Sequence, residues 1–251
     1  MSSNILVIPD TQITETSPTI HLQAAGKYAA HHMPDTIVVI GDWCDTKSLS
    51  QYNSVKSSQG LTLEGDMQAA ILAMKIFLHP IKKKKGYSPR LVLCAGNHEP
   101  SVRIKRLMED MPQLEGSLVD KFGKFLVKQG FEVIPFLEVV DIEGIRFSHY
   151  TVNPSSAKGM PVNGAIETSI KNVGYSFVSG HQQGLKTGKR YLSDGTVHLG
   201  VVAGSFYLHD EDYMNWQSNH HWHGIIDLHN AEDGDADIVE VRMASLLKEY
   251  L

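Results

Sequence analysis

Five polar residues stand at the ends of short apolar runs. Asp10 follows Ile5-Leu6-Val7-Ile8, Asp42 follows Ile37-Val38-Val39-Ile40, and Asn97 follows Leu91-Val92-Leu93-Cys94. Further on, His149 ends Phe147-Ser148 and His181 ends Val178-Ser179-Gly180. Carboxylate and amide oxygens together with imidazole nitrogens are ligands that a divalent cation takes. Singly, each has an ordinary explanation. Gly41-Asp42 and Gly96-Asn97 are good turn pairs, and a lone histidine after a strand is more often a satisfied loop or core residue. Asp42, Asn97, His149 and His181 occurring together, in this order, point instead to one metal-binding constellation.

Such residues meet only if the apolar runs are strands of a common framework. The first three runs are β-branched or leucine-rich and stop at turns, the pattern of buried parallel strands. Helical patterns lie between them, over Thr19 to His32 and over Leu63 to Lys85, with Ala69, Ala70, Leu72, Ala73, Ile76 and Phe77. Strand alternating with helix implies a doubly wound sheet, whose ligands gather beyond the carboxyl ends of the strands. Asp10, Asp42 and Asn97 sit there. From Phe131 onward the pattern changes to short strands separated by turns such as Glu143-Gly144 and Asp194-Gly195. These read as mostly antiparallel, with a helix near Gly164 to Lys171. No repeat or clear linker interrupts the chain, so residues 1–251 are expected to form one domain.

The 251 residues suffice for one sizeable α/β core. Hydrophobic residues are 42% and charged residues 20%, ordinary globular usage that argues against disorder. The formal net charge of −5 argues against a general DNA-coating role, which favours basic proteins. Two cysteines, Cys44 and Cys94, are too few for a disulfide framework and fit a reducing compartment. The first apolar run has no Lys or Arg ahead of it and is cut short by Asp10, so it reads as a strand and not as a signal peptide. No stretch approaches the roughly 18 apolar residues of a membrane span. A soluble, cytoplasmic protein without a membrane partner is expected.

Gly41-Asp42-Trp43-Cys44-Asp45, Gly96-Asn97-His98-Glu99, His149 and Gly180-His181-Gln182-Gln183 resemble, in order, the motifs of calcineurin-like metallophosphoesterases. Asp10-Thr11-Gln12 resembles their opening motif. The likeness runs from residue 10 to 183. Arg103, Arg106 and the later Asn215-Trp216-Gln217 resemble members found in bacteriophages, for which the compartment would be the host cytoplasm. The resemblance implies an α/β four-layer sandwich, two facing mixed β-sheets flanked by helices. It also implies a site for two divalent ions. Asp42 would bridge them, Asn97, His149 and His181 would complete the second site, and Asp10 would belong to the first. Hydrolysis would proceed by a hydroxide held between the metals. His98 would serve the leaving oxygen as general acid, oriented by Asp45. Asn97, Arg103 and Tyr150 are the residues expected to meet the substrate; Arg103 and Arg106, three apart, share one face of the helix after Glu99 and either fork onto phosphate oxygens or form a solvated face, and Tyr150, next to His149, would line the pocket. Glu99 would open a helix, where a carboxylate favours the positive end.

Two positions depart from the family pattern. Where the family has histidines, this sequence has Gln12 and Gln183, and in that pattern both belong to the first metal. An all-oxygen shell of Asp10, Gln12, Asp42 and Gln183 suits Mg²⁺ or Mn²⁺ better than Zn²⁺ or Fe. Only two carboxylates supply charge and one is shared, so the first ion would be weakly held; loss of that ion is the competing outcome. Asp45 is followed by Thr46-Lys47, whereas Ser/Thr protein phosphatases have Arg-Gly, which disfavours that group.

The expected function is metal-dependent hydrolysis of phosphodiesters of nucleotides or nucleic acid. The alternatives are a phosphomonoesterase acting on small substrates, or a non-catalytic metal- and phosphate-binding protein with a degraded first site. Retention of His98 and Asp45 favours an enzyme. Lys82 to Lys85 read as a solvated helix end, Asn219 to His223 as a surface strand start, and Tyr213 and Trp216 as loop aromatics, one of them able to stack on a base.

Overall fold

The computed structural model describes residues 2–50, 59–208 and 222–251. Strands and helices first alternate: β1 (Ser3–Ile8), α1 (Ile20–His32), β2 (Thr36–Val39), α2 (Leu63–Lys83), β3 (Arg90–Cys94), α3 (Pro100–Asp110), α4 (Lys121–Lys128) and β4 (Phe131–Ile134). There follow β5 (Val140–Ile142), β6 (Ile145–Ser148), α5 (Ile166–Val173), β7 (Phe177–Ser179), β8 (Lys186–Tyr191), β9 (Val197–Val202), β10 (Gly224–Glu232), β11 (Asp235–Arg242) and α6 (Met243–Tyr250). One sheet has the order β11-β10-β1-β2-β3-β4, the other β5-β6-β7-β9-β8. Both are mixed. In the first, β1 to β4 are parallel and β10 and β11 antiparallel. In the second, β6, β7 and β9 are parallel and β5 and β8 are antiparallel edges.

The second half is therefore less antiparallel than its sequence suggests. Helix α5 is a crossover between β6 and β7, and only such a connection lets consecutive strands pair in parallel. Strands β4, β10 and β11 join the first sheet, so the sheets do not divide at Phe131.

Period-two alternation explains the layers. Ile5 and Val7 of β1, with Val38, Ile40 and Val92, face the second sheet and meet Phe147, Val178, Leu199 and Val201. Leu6 and Ile8, with Ile37, Val39 and Leu93, face the other way into Leu22, Ala25, Met74 and Phe77 of α1 and α2. Strands buried on both faces have no polar side to show, hence the continuous apolar runs. Each such side chain, fully buried, stabilises by about 1.5–3 kcal/mol. Ile166 and Ile170 of α5 cover the outer face of the second sheet at Phe177 and Val202. The order is helices, sheet, sheet, helix. Among the described residues no helix is long and apolar enough to cross a membrane.

Candidate metal centre

Parallel pairing sets strand ends level. Ile8 lies opposite Val39, and Val39 opposite Leu93; in the other sheet Ser148, Ser179 and Val202 align. The loops leaving these ends are stitched together. Thr11 and Gln12 N–H donate to the Asp42 carbonyl at 3.1 and 2.9 Å, Gly180 N–H to the His149 carbonyl at 2.8 Å, and Phe206 N–H to the Asp10 carbonyl at 2.8 Å. Gln12, Asp42 and His181 adopt φ of 44°, 47° and 64°. Left-handed backbone costs a non-glycine residue roughly 1–2 kcal/mol, and such strain collects at functional sites. Two glycines permit the approach. A Cβ on Gly41 (φ 109°) would lie 2.4 Å from His149 Nδ1, and one on Gly96 would lie 2.1 Å from Asp42 Oδ1.

His149 Nδ1 lies 3.1 Å from the Ile40 carbonyl oxygen. A carbonyl only accepts, so Nδ1 carries the proton and Nε2 faces the site, the way a ligating histidine is usually oriented. That Nε2 lies 3.1 Å from Asn97 Oδ1 and 3.3 Å from Asp42 Oδ2. Asn97 Oδ1 is also 3.0 Å from His181 Nδ1. One ligand atom each from Asp42, His149 and His181 fall within 4.8 Å of one another. Lone pairs converging at this range repel unless positive charge lies among them. Burial pulls the His149 pKa down, yet the Asp42, Asp10 and Glu99 carboxylates drive it up to about 10. Burial and the neighbouring His149 charge lower His181 to about 4. Burial opposes ionisation of Asp42, but His149 and His98 hold it below the usual carboxylate range. A protonated His149 supplies positive charge among these atoms, and a divalent ion would do the same; Asp42, Asn97, His149 and His181 fit such an ion by residue type and proximity.

Of the residues expected to hold a first ion, Asp10 borders this cluster. The buried Asp10 carboxylate accepts from His181 N–H at 3.1 and 3.3 Å, and burial raises its pKa, with Asp42 adding to the effect and His149 opposing it. Gln12 is buried. Gln183 Oε1 accepts from the Tyr207 hydroxyl. Among the described residues no hydrogen bond joins the side chains of Gln12 and Gln183.

His98 Nδ1 lies 2.8 Å from Asp45 Oδ1, and His98 N–H donates to Asp42 Oδ1 at 2.9 Å. Burial opposes protonation of His98, but Asp42 and Asp45 outweigh it and raise its pKa. Arg103, one turn into α3, is only 6% exposed. Its Nε has no hydrogen-bond partner, and its charge reaches His98. Arg106 separates from it, lying 5.6 Å over the Phe136 ring. Tyr150 packs edge-on to Phe136 at 5.6 Å and lies 4.9 Å from the His181 ring. These rings form one wall of the site.

Glu99 begins α3, but its side chain does not cap that helix. Instead Oε2 accepts from Asp42 N–H at 3.0 Å and Gly96 N–H at 2.7 Å, and Oε1 from Trp43 N–H at 2.7 Å. It fastens the two ligand-bearing loops to each other. This clamp, the Ile40 carbonyl, Phe136 and Tyr207 were not evident from sequence. Lys82 bonds Gln129 across the surface. Trp222 packs against Gly204 and Gly224, and His223 Nδ1 lies 3.0 Å from Ser205 Oγ, so this end of the 219–223 segment is half-buried. Residues 213, 215–217 and 219–221 lie outside the described residues.

No protein-family model matches the chain, and no curated protein matches it. Among solved structures it is similar to a purple acid phosphatase isolated from yellow lupin (Lupinus luteus) seeds, at 12% identity and a TM-score of 0.45, over 97% of this chain and 52% of that one. The chain thus spans about half of that phosphatase. It is also similar to a conserved uncharacterized protein of Streptococcus pneumoniae described as a predicted phosphoesterase, at 10% identity and a TM-score of 0.34, over 96% and 98% of the two chains.

Proposed function

We propose that the chain is a metallophosphoesterase, hydrolysing phosphodiesters of nucleotides or nucleic acid with divalent metal, Mn²⁺ or Mg²⁺. The observation that carries this reading is the pairing of His98 with Asp45 directly beside the Asp42–Asn97–His149–His181 cluster. A binding protein has use for the cluster but none for a positioned acid. A bound divalent ion supplies Lewis-acid polarisation of a phosphoryl oxygen and makes water nucleophilic near neutral pH. The rest falls to the chain. His149 and His181 would hold such an ion through ring nitrogens, and Asn97 would contribute its amide oxygen. Asp45 accepts from Nδ1–H of His98, so Nε2 is the atom from which a proton passes to the leaving oxygen. Arg103, with no carboxylate bonded to it among the described residues, supplies positive charge for the phosphate, and Tyr150 with Phe136 limits water on one side. Asp10, Gln12 and Gln183 are proposed to hold the first ion with Asp42, through oxygen alone.

The test is purified protein on bis(4-nitrophenyl) phosphate and 4-nitrophenyl phosphate with Mg²⁺, Mn²⁺, Ni²⁺ or Zn²⁺. Turnover of the diester, greatest with Mn²⁺ and abolished by chelation, is expected. Full activity after exhaustive chelation would overturn the reading. Preference for the monoester would move it to the phosphomonoesterase alternative. Metal binding without turnover of either would leave a binding protein.

A further inference from the structure

A recess of about 520 Å³ opens beside the metal centre, between the loop of residues 153–163 and the turn carrying His181. Small-molecule sites span about 300–1,000 Å³. His181 forms part of the wall, so anything seated there is one side chain from the proposed ligands. The loop is braced. Val152 bridges Pro161, Asn153 N–H donates to the Met160 carbonyl at 2.8 Å, and Val162 N–H donates to the Thr151 carbonyl at 2.9 Å. Gln182 frames the opposite side with both ends engaged: its amide nitrogen donates to the Val162 carbonyl and its Oε1 accepts from Lys186 Nζ at 2.9 Å.

Two asparagine amides of the lining are one-sided. Asn153 Oδ1 accepts from Ser155 N–H at 3.0 Å, and Asn163 Oδ1 from Gly164 N–H at 2.7 Å. Each amide is thereby oriented with Nδ2, a two-hydrogen donor, as its unused end. Met160, 58% exposed, adds a large apolar surface. With the hydroxyls of Ser155 and Ser156, the lining therefore offers uncharged hydrogen-bonding groups, amide donors among them, and a polarisable apolar contact. Bare phosphate is better matched by the forked charge of arginine. Carbonyl or hydroxyl oxygens on an uncharged ring match neutral amide donors, and the ring face matches a thioether.

We infer that this recess seats the organic ester group of the substrate, and that the group is an uncharged, acceptor-bearing ring such as the base or sugar of a nucleotide. The inference rests on the phosphoesterase reading, because His181 joins the recess to the phosphate site. Calorimetry on the Mn²⁺-loaded protein tests it without requiring turnover, using inorganic phosphate, ribose 5-phosphate and thymidine 5′-monophosphate. Two ordinary hydrogen bonds correspond to roughly five- to 150-fold in affinity, so the nucleotide should bind at least about fivefold more tightly than phosphate. Asn153→Ala/Asn163→Ala should lose the margin and keep the phosphate affinity. Asn153→Asp/Asn163→Asp retains an oxygen for each backbone N–H but removes the donors; it should lose the margin too, which separates donor loss from loop collapse. Full margin with ribose 5-phosphate assigns the recess to the sugar, and margin with the nucleotide alone assigns it to the base. Equal affinities in the wild-type protein, or an undiminished margin in both variants, would overturn the inference. Failure of the phosphoesterase reading has a separate signature: no hydrolysis of bis(4-nitrophenyl) phosphate or of 4-nitrophenyl phosphate with any metal, whatever the nucleotide margin.

Discussion

Replacing Glu99 by alanine removes a carboxylate that accepts three backbone hydrogen bonds, from Asp42, Gly96 and Trp43, at 3.0, 2.7 and 2.7 Å. The residue is 2% exposed, so water does not reach these groups in the native protein. A buried N–H left without a partner costs about 1–3 kcal/mol, which for three gives roughly 3–9. Two effects trim that figure. Burial and the Asp42 charge already raise the Glu99 pKa, so removing the charge relieves a desolvation cost. The vacated volume also admits water to the orphaned donors. The expected net loss is about 3–4 kcal/mol, a large share of a domain stability of about 5–15 kcal/mol. Glu99→Gln keeps the shape and one acceptor oxygen but turns an NH₂ toward a backbone N–H; about half the loss, roughly 1.5–2 kcal/mol, is expected.

Urea unfolding of the three proteins, with and without Mn²⁺, measures this directly, the midpoint shifting at constant slope. Calorimetric Mn²⁺ affinity supplies the second readout. Because Glu99 ties the Asp42 loop to the Asn97 loop, Glu99→Ala should weaken the metal at least about tenfold, or 1.4 kcal/mol. A Glu99→Ala protein within about 1 kcal/mol of wild type, with unchanged metal affinity, would refute the clamp. Equal losses for alanine and glutamine would show that charge matters and the hydrogen-bond count does not.

His98→Ala should retain its metals and lose about 10²–10⁴ in rate, with a smaller loss for good leaving groups; equal loss across a series of aryl phosphodiesters would argue against the acid role. Gly26→Ala should lower the melting temperature although alanine is the better helix former, because its Cβ would lie 2.2 Å from the Phe77 carbonyl oxygen where α1 crosses α2, and overpacking of about 1–3 kcal/mol exceeds the roughly 1 kcal/mol of propensity gained. Gln12→His with Gln183→His should raise Zn²⁺ affinity and lower Mg²⁺ affinity at one of two sites, by more than the single changes sum to; small additive shifts in calorimetry would mean that the two glutamines share no ion.

The three parallel strands β1, β2 and β3 were legible because burial on both faces leaves an unbroken apolar run, and each run is too short for a helix and stops at a turn. Helix α2 was legible because its apolar residues repeat over 21 residues. Helices α4 and α6, of eight residues each, were not singled out, since two turns bury only pairs such as Phe122 and Leu126, or Met243 and Leu246. The parallel pairing of β6, β7 and β9 was missed because strand patterns carry no direction. Direction comes from the connections: α5 crosses over between β6 and β7, and β8 takes the sheet edge beyond β9, which leaves β9 parallel to β7.

The clustering of Asp42, Asn97, His149 and His181 was legible because residue type itself marks a candidate ligand. The site was illegible wherever the role depends on which way a side chain turns. Glu99 at a helix start reads as a cap in one dimension; in three it turns to the loops after β2 and β3. Gln183 shows the same limit from the other side. Its type suggested an oxygen ligand, but the hydroxyl that reaches it comes from Tyr207, on the loop after β9. That contact depends on where the loop after β9 is placed, and residue type alone does not record it.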